Sequence, residues 1–226
     1  ACPPAWPGLA WAPMKTLLLS AAAAAIAIAA APSPAAARSM TAIDLNEMKR
    51  LGAPAVSPDG TMAVYQVTST DIAENSRSTQ LYMLDLTRPE AQPVLIADME
   101  SASESSPAFA PDGSLWFISD KSGSDQLWRM TMPGGSPGQA SDFSVGVAGF
   151  KLAPTGNRVA VWSAIPRACA EFGCPAPTAS PEEAKATGRE YDEYFVRHWT
   201  SWREPGVYNR IFAFDVANGK VSGLGT

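Results

Sequence analysis

A Pro-Asp-Gly turn between short apolar runs occurs twice, as Ser57-Pro58-Asp59-Gly60 and Ala110-Pro111-Asp112-Gly113, and a variant third copy follows as Ala153-Pro154-Thr155-Gly156. Proline presets φ at the first turn position, the aspartate side chain caps the turn, and glycine takes the positive-φ position that lets a hairpin reverse. Behind each turn comes a strand-like run: Met62 to Val67, Leu115 to Ile118, and Arg158 to Trp162. A second such run follows each in turn: Gln80 to Leu86, Gln126 to Met130, and Arg210 to Val216. The three turn prolines stand 53 and then 43 residues apart, close to the roughly 40–50 residues of one four-stranded blade. The expected fold class is therefore all-β: a partial β-propeller of about three blades, over about Ala53 to Ala97, Ser105 to Ala140, and Val145 onward. A propeller closes with four to eight blades. Three units leave sheet edges and apolar faces open, so the expectation is an N-terminal piece of a larger protein. Produced alone, such a piece should be poorly soluble and unfold without a sharp cooperative transition.

The first acidic residue is Asp44, and the chain before it reads as export machinery. Met14-Lys15 is a short positive start, Leu17 to Ala31 an unbroken apolar core, and Ala35-Ala36-Ala37 a small-residue cleavage site. The apolar run stops at Pro32, short of the ~20 residues that span a bilayer. The expected layout is an upstream extension over residues 1–13, a signal peptide over 14–37, and the incomplete propeller over 38–226. The product would be periplasmic or secreted, with no membrane span after cleavage. Loss of the leader removes Lys15 and no acid, taking the formal charge from −5 to −6. No basic cluster remains to neutralise phosphates, so nucleic acid is not an expected partner. The 46% apolar content is inflated by the Ala-rich leader, yet the remainder keeps enough large apolar residues for a globular core.

Export also governs the cysteines. Cys2 lies in the extension, which leaves Cys169 and Cys174 as a C-x4-C pair in an oxidising compartment. A disulfide is favoured over two free thiols, and it would contribute roughly 2 kcal/mol on the chain-entropy estimate. One histidine and no second cysteine pair give too few ligands for a metal site. No metal or other cofactor is expected.

Just after the leader, Thr41 to Asp44 resembles an N-cap with an acid three residues on. Leu45, Met48 and Leu51 follow at helical spacing, and Gly52 marks a stop. A short helix is expected there, ahead of the first blade. The third blade is interrupted between Ile165 and Val207 by a long insertion, in which Ser180-Pro181-Glu182-Glu183 reads as a helix start. Tyr191, Tyr194, Phe195, His198, Trp199 and Trp202 fall on one stripe of a helix, which favours a packed face over substrate contact, with His198 hydrogen-bonded inside it.

The segment Tyr191-Asp192-Glu193-Tyr194-Phe195-Val196-Arg197-His198-Trp199-Thr200-Ser201-Trp202 precedes the strand Ile211 to Asp215. Together with the helix leading into Pro54-Ala55-Val56-Ser57-Pro58-Asp59-Gly60, it resembles the propeller of secreted bacterial prolyl-oligopeptidase-family serine peptidases, in particular the dipeptidyl-peptidase V and acylaminoacyl-peptidase-like branch. The resemblance covers roughly Ile43 to Thr226. It implies that an α/β-hydrolase domain with a Ser-Asp-His triad follows, and that the propeller covers its active site so that only short peptides enter. The partners implied are short peptide substrates and that downstream domain; a homodimer is left open.

Within the chain itself no catalytic residue is expected. Gly134-Gly135-Ser136-Pro137-Gly138 matches the letters of a nucleophile elbow, but Pro137 has no N–H for an oxyanion hole and no helix-like pattern follows. It reads as a blade-edge loop. Asp192 and Glu193, beside Glu190, are the candidate substrate-binding residues, because a carboxylate aimed into the cavity could hold a free peptide amino terminus. The bland alternative is a solvated acidic face. The function expected is thus the substrate-gating portion of an exported serine exopeptidase. The competing reading is a non-catalytic periplasmic TolB-type propeller that binds a partner protein, which leaves the Arg-His-Trp segment and the insertion unexplained.

Overall fold

A computed structural model describes residues 38–167, 169, 171–174, 188, 191, 197–199, 201, 202, 204 and 206–224. The expected leader and extension, the helix start at Ser180, and both candidate anchors Asp192 and Glu193 lie outside the described residues. Contacts divide the chain into a segment up to Thr41 and a compact unit from Ala42; the elements below belong to the second.

Helix α1 spans Ala42–Glu47, shorter than the periodicity predicts. Asn46 Nδ2 donates to the Ala42 carbonyl at 2.9 Å and the Met48 amide to the Asp44 carbonyl at 3.0 Å. Leu51 does not continue the apolar stripe, because Arg50–Leu51 (β1) pairs with Thr68 and Val67 instead. Gly52 is no helix stop either. A Cβ there would lie 2.3 Å from Gln66 Cγ, so glycine is what lets the chain cross the Gln66 side chain.

Three antiparallel sheets follow in chain order. The first holds β1, β2 (Ala55–Val56), β3 (Met62–Asp71), β4 (Ser76–Asp85) and β5 (Val94–Ile96), with β1 and β2 both paired to β3. The second holds β6 (Glu104–Phe109), β7 (Leu115–Ser119), β8 (Gln126–Met130) and β9 (Gly138–Gln139). The third holds β10 (Gly149–Leu152), β11 (Arg158–Pro166), β14 (Val207–Asp215) and β15 (Val221–Gly223). A two-strand hairpin, β12 (Arg197–His198) with β13 (Ser201–Trp202), sits in the connection from β11 to β14. This succession of meander sheets is the expected partial propeller.

The sequence pattern explains the stacking. In β7 every residue is buried. Leu115 and Phe117 pack toward Val64, Leu81 and Ile96 of the first sheet, while Trp116 and Ile118 pack toward Val159, Val161, Phe212 and Phe214 of the third. Successive residues of a strand point to opposite faces, so a sheet covered on both sides carries a continuous apolar run. In β11 burial alternates instead.

The turns behave as their chemistry requires. Gly60, Gly113 and Gly156 have φ of 73°, 81° and 72°, and each amide donates to the residue three before it at 2.9 Å. Asp59 Oδ1 accepts from Ser57 Oγ at 2.6 Å and from the Thr61 amide at 3.0 Å, and these bonds hold its carboxyl below the usual range. Asp112 is likewise lowered, first by the Ser114 hydroxyl at 2.6 Å, with Arg129 Nη2 also donating to it at 2.6 Å.

Glu104, the first residue of β6, is buried. Its Oε1 accepts the Met99 amide at 3.3 Å, whereas Oε2 has no hydrogen-bond partner among the described residues. Burial pushes its acid up to about 7, against the pull of the Met99 amide and with a contribution from the Asp98 and Asp120 carboxylates. The folded chain therefore keeps this proton across the interval from about 4.5 to about 7, where the unfolded chain loses it. Stability from this group is complete below that interval and lost as pH rises through about 7. Urea midpoints are expected to fall between pH 5 and pH 8, and Glu104→Gln to flatten that slope; an unchanged slope in the variant would refute the assignment. The lowered Asp59 and Asp112 act only below their ordinary value of 3.8 and do not mask it.

Candidate functional site

The first two sheets join their two central strands by short turns, whereas in the third sheet residues 167–206 intervene between β11 and β14. The root of this insertion is zipped shut. β11 and β14 pair as far as Pro166 with Val207, the Arg167 amide donates to the Gly206 carbonyl at 2.8 Å, and the Arg167 guanidinium lies 4.8 Å from the Tyr208 ring centre.

Immediately beyond, Cys169 and Cys174 form a disulfide, with their Cα atoms 5.7 Å apart. The loop so closed carries Phe172, whose ring lies 4.8 Å from Phe143, edge to face, and 5.0 Å from Phe212. Phe143 in turn meets Phe214 edge to face at 5.3 Å. Aromatic pairs in this geometry add about 0.5–1.5 kcal/mol each beyond their buried area. Two further tethers hold the loop: Arg210 Nη1 donates to the Cys169 carbonyl, and Ser144 Oγ to the Gly173 carbonyl. A cleft of about 670 Å³ opens here, lined by both cysteines, Phe143, Phe172, Asp142 and Glu171.

Phe143 is presented by a loop that sequence reasoning did not single out, and Gln126 holds that loop. Gln126 is buried; its Nε2 donates to the Phe143 carbonyl at 2.9 Å and to Ser124 Oγ at 3.0 Å. Its Oε1 accepts from Ser141 Oγ at 2.8 Å and from the Phe143 amide at 2.9 Å. Every polar position of the amide is thus used. Phe172 carried a signal in retrospect, as a large apolar residue inside the C-x4-C loop; Gln126 carried none, since the Ser141 and Phe143 groups that it holds lie 15 and 17 residues away.

Further out, the helical stripe predicted over Tyr191 to Trp202 does not form in its described part. Arg197 pairs with Trp202 and His198 with Ser201 as antiparallel strands, and Trp199 turns the hairpin at φ 53°. A left-handed residue interrupts any helix, and the flanking aromatics favour extended backbone. Nor is this a packed face: Trp199 is 85% and Trp202 54% exposed. Tyr191 and Trp202 stack at 6.3 Å, and Arg197 lies 5.3 Å from the Trp202 ring. Tyr194 and Phe195 lie outside the described residues, and of His198 only the backbone is described.

Gly134 to Gly138 connects β8 to β9 by a turn closed by the Gly135 amide on the Thr131 carbonyl at 2.9 Å. A strand follows Ser136, not a helix, so the geometry is not that of a nucleophile elbow. A second cleft, about 650 Å³, lies among the turns of the first two sheets. Its carboxylates are engaged locally: Asp59 and Asp112 as above, and Asp85 by Thr87 and Arg88, with the Thr87 hydroxyl the main cause of a pKa of about 2. Among the described residues, no group of three or more His, Cys, Asp or Glu could hold a metal ion.

No family model matches the chain. It is 32% identical over 158 residues to dipeptidyl-peptidase 5 of Porphyromonas gingivalis, across 70% of this chain and 22% of that protein. It is 26% identical over 173 residues to dipeptidyl-peptidase 5 of Porphyromonas endodontalis, across 76% of this chain and 24% of that protein. The chain thus spans less than a quarter of the length of these relatives. Among solved structures, an acylaminoacyl peptidase of Pyrococcus horikoshii superposes with a TM-score of 0.55 at 13% identity, over 78% of this chain and 25% of that one. That likeness is one of fold.

Proposed function

We infer that this chain, a relative of dipeptidyl-peptidase 5 and so of the prolyl-oligopeptidase-type peptidases, forms the gating propeller of an exported serine exopeptidase that trims short peptides from their N-termini. The whole protein would release dipeptides or acylated residues. Its chemistry would be acyl transfer through a seryl intermediate, carried by a Ser-Asp-His triad in an α/β-hydrolase domain beyond Thr226, with no metal or cofactor. Residues 38–226 would act after removal of a leader over 14–37, in the periplasm or outside the cell.

The observation that carries this reading is the insertion of the third sheet. A loop that only connected two strands would need neither a disulfide at its root nor an exposed Trp202 flanked by Arg197 and Tyr191 near its end. That the relatives of this chain are peptidases supports a role in admitting and orienting peptides.

Asp192 and Glu193 remain the proposed holders of the substrate's free amino terminus. A charge-assisted hydrogen bond contributes about 1.5–3 kcal/mol. Replacing both by their amides in the intact enzyme should therefore raise KM by about 10-fold or more for free-amine substrates, while N-blocked substrates change by about twofold or less. Equal effects on the two classes would exclude the amine-anchor role.

A further inference from the structure

We propose that Glu104 is a proton-operated clasp on residues 97–103, the connection between the first two sheets. With its acid neutral the connection stays shut against the second sheet, and with the acid ionised it opens while the sheets stay folded. Any effect on peptide entry rests on the gating role above; the clasp itself does not.

The connection is backbone held away from its preferred shape. Ala97, Ser101 and Ser106 have φ of 52°, 61° and 55°, the left-handed region that residues with a Cβ disfavour. Among the described residues they are three of the five non-glycine positions with positive φ. Such a conformation persists only where its surroundings impose it, and four hydrogen bonds do so here. Glu104 Oε1 accepts the Met99 amide, at the start of a turn closed by the Ala102 amide on the Met99 carbonyl at 2.9 Å. Asp120 Oδ1 accepts the Ser103 amide at 2.8 Å, Lys121 Nζ donates to the Glu100 carbonyl at 2.7 Å, and Ser103 Oγ accepts the Thr79 amide at 3.4 Å. Of the side chains in these bonds, Glu104 alone is buried, at 1% exposed.

That bond is the one a proton controls. Oε2 of Glu104 has no hydrogen-bond partner, and no cation pairs with the carboxyl, among the described residues. The charged groups nearby are Asp98 and Glu100 in the connection, and Asp120, Lys121 and Asp125 in the β7–β8 turn. Of the strands beside β6, β2, β5 and β7 carry no charge, while Asp71 of β3, Arg77 of β4 and Lys151 of β10 are exposed. A neutral acid tolerates one unpaired oxygen in such a place; a carboxylate does not. Burial is the main force keeping the proton on, the Asp98 and Asp120 carboxylates add to it, and the Met99 amide pulls the other way. Once ionised, the carboxylate turns toward water and the Met99 amide loses its acceptor. Met99, packed on the cluster of Val64, Leu81 and Phe117, is then no longer anchored through its backbone. The β7–β8 turn also receives the next connection, since the Asp125 carbonyl accepts the Val147 amide at 2.7 Å. The clasp therefore works at the end of the sheets where the loop bearing Phe143 meets the root of the insertion.

The test is hydrogen exchange read by mass spectrometry on the full-length protein, with rates corrected for the pH dependence of the chemical step. In peptides covering 97–106 the corrected rate should rise by about 10-fold or more between about pH 5 and about pH 8 and level off above about 7, with β7 and β8 protected throughout. Glu104→Gln should stay slow at every pH. Asp98→Asn removes an exposed like charge and no hydrogen bond of the connection, so its rise should be smaller and level off at lower pH. A flat native profile would overturn the clasp, as would a rise that persists in Glu104→Gln, or protection lost from β7 and β8 together with the connection. If Glu104→Gln does not fold, Asp98→Asn decides, and a profile there identical to the native one also overturns it. None of these outcomes depends on peptidase activity.

Discussion

Replacing Phe117 by alanine is expected to lower the unfolding free energy by about 3–5 kcal/mol, the range for truncating a fully buried aromatic. Phe117 is fully buried at the centre of the cluster that joins the first two sheets, among Val64, Leu81, Ile96, Leu115 and Met130. β7 is covered on both faces, so the cavity left behind cannot be closed by a loop moving in. It must be filled by shifting β4 or β8, each locked by its own ladder. Hydrogen exchange of the β7 and β8 peptides in the whole protein that contains this chain reads this directly, as lost protection. Ile72→Ala, at the exposed end of the first hairpin, should stay within about 0.5 kcal/mol. A Phe117 variant that lost no more than the Ile72 control would mean that the two sheets are not stacked as described.

The second large effect is expected at Gln126. Gln126→Leu keeps the volume but removes four hydrogen bonds, and it strands the amide and carbonyl of Phe143 and the Ser141 hydroxyl beside an apolar side chain. An unsatisfied buried polar group costs about 1–3 kcal/mol, and partial relaxation toward solvent on the Phe143 side limits the sum to about 3 kcal/mol. The loss should be accompanied by release of Phe143 from Phe172 and Phe214, since the loop that presents it is no longer held. A leucine variant as stable as the native chain would show that the loop is held by packing alone.

What could be read from the sequence was what is determined locally. The turns at Asp59, Asp112 and Gly156 are set by residues within a few positions of one another, and the strands behind them follow a pattern of apolar residues that needs no knowledge of distant partners. β7 shows how far this goes: its unbroken Leu115-Trp116-Phe117-Ile118 run is legible as a strand, and its burial on both faces follows once it is placed between neighbours. Where competing local and distant signals met, the distant ones won. Leu51 continues a helical stripe from Leu45 and Met48, but a ladder to Val67 was available, and α1 ends at Glu47. The aromatics from Tyr191 to Trp202 recur at helical spacing, but the described part folds back as a hairpin with Trp199 at its turn. The Gln126 network was invisible because a glutamine opening a strand has no pattern of its own, and Ser141 and Phe143 belong to a loop defined only by the fold.

The most direct test of the gating-propeller reading is the hydrolysis of a matched substrate series by the whole protein that contains this chain: one chromogenic dipeptide with a free amine, its N-acylated counterpart, a peptide of about ten residues, and a folded protein. The reading predicts turnover of the short substrates, none of the folded protein, and complete loss of turnover after treatment with a serine-directed phosphonate. No turnover of any member of the series, by a protein that instead forms a stable complex with another protein, would contradict it and make this chain part of a binding propeller.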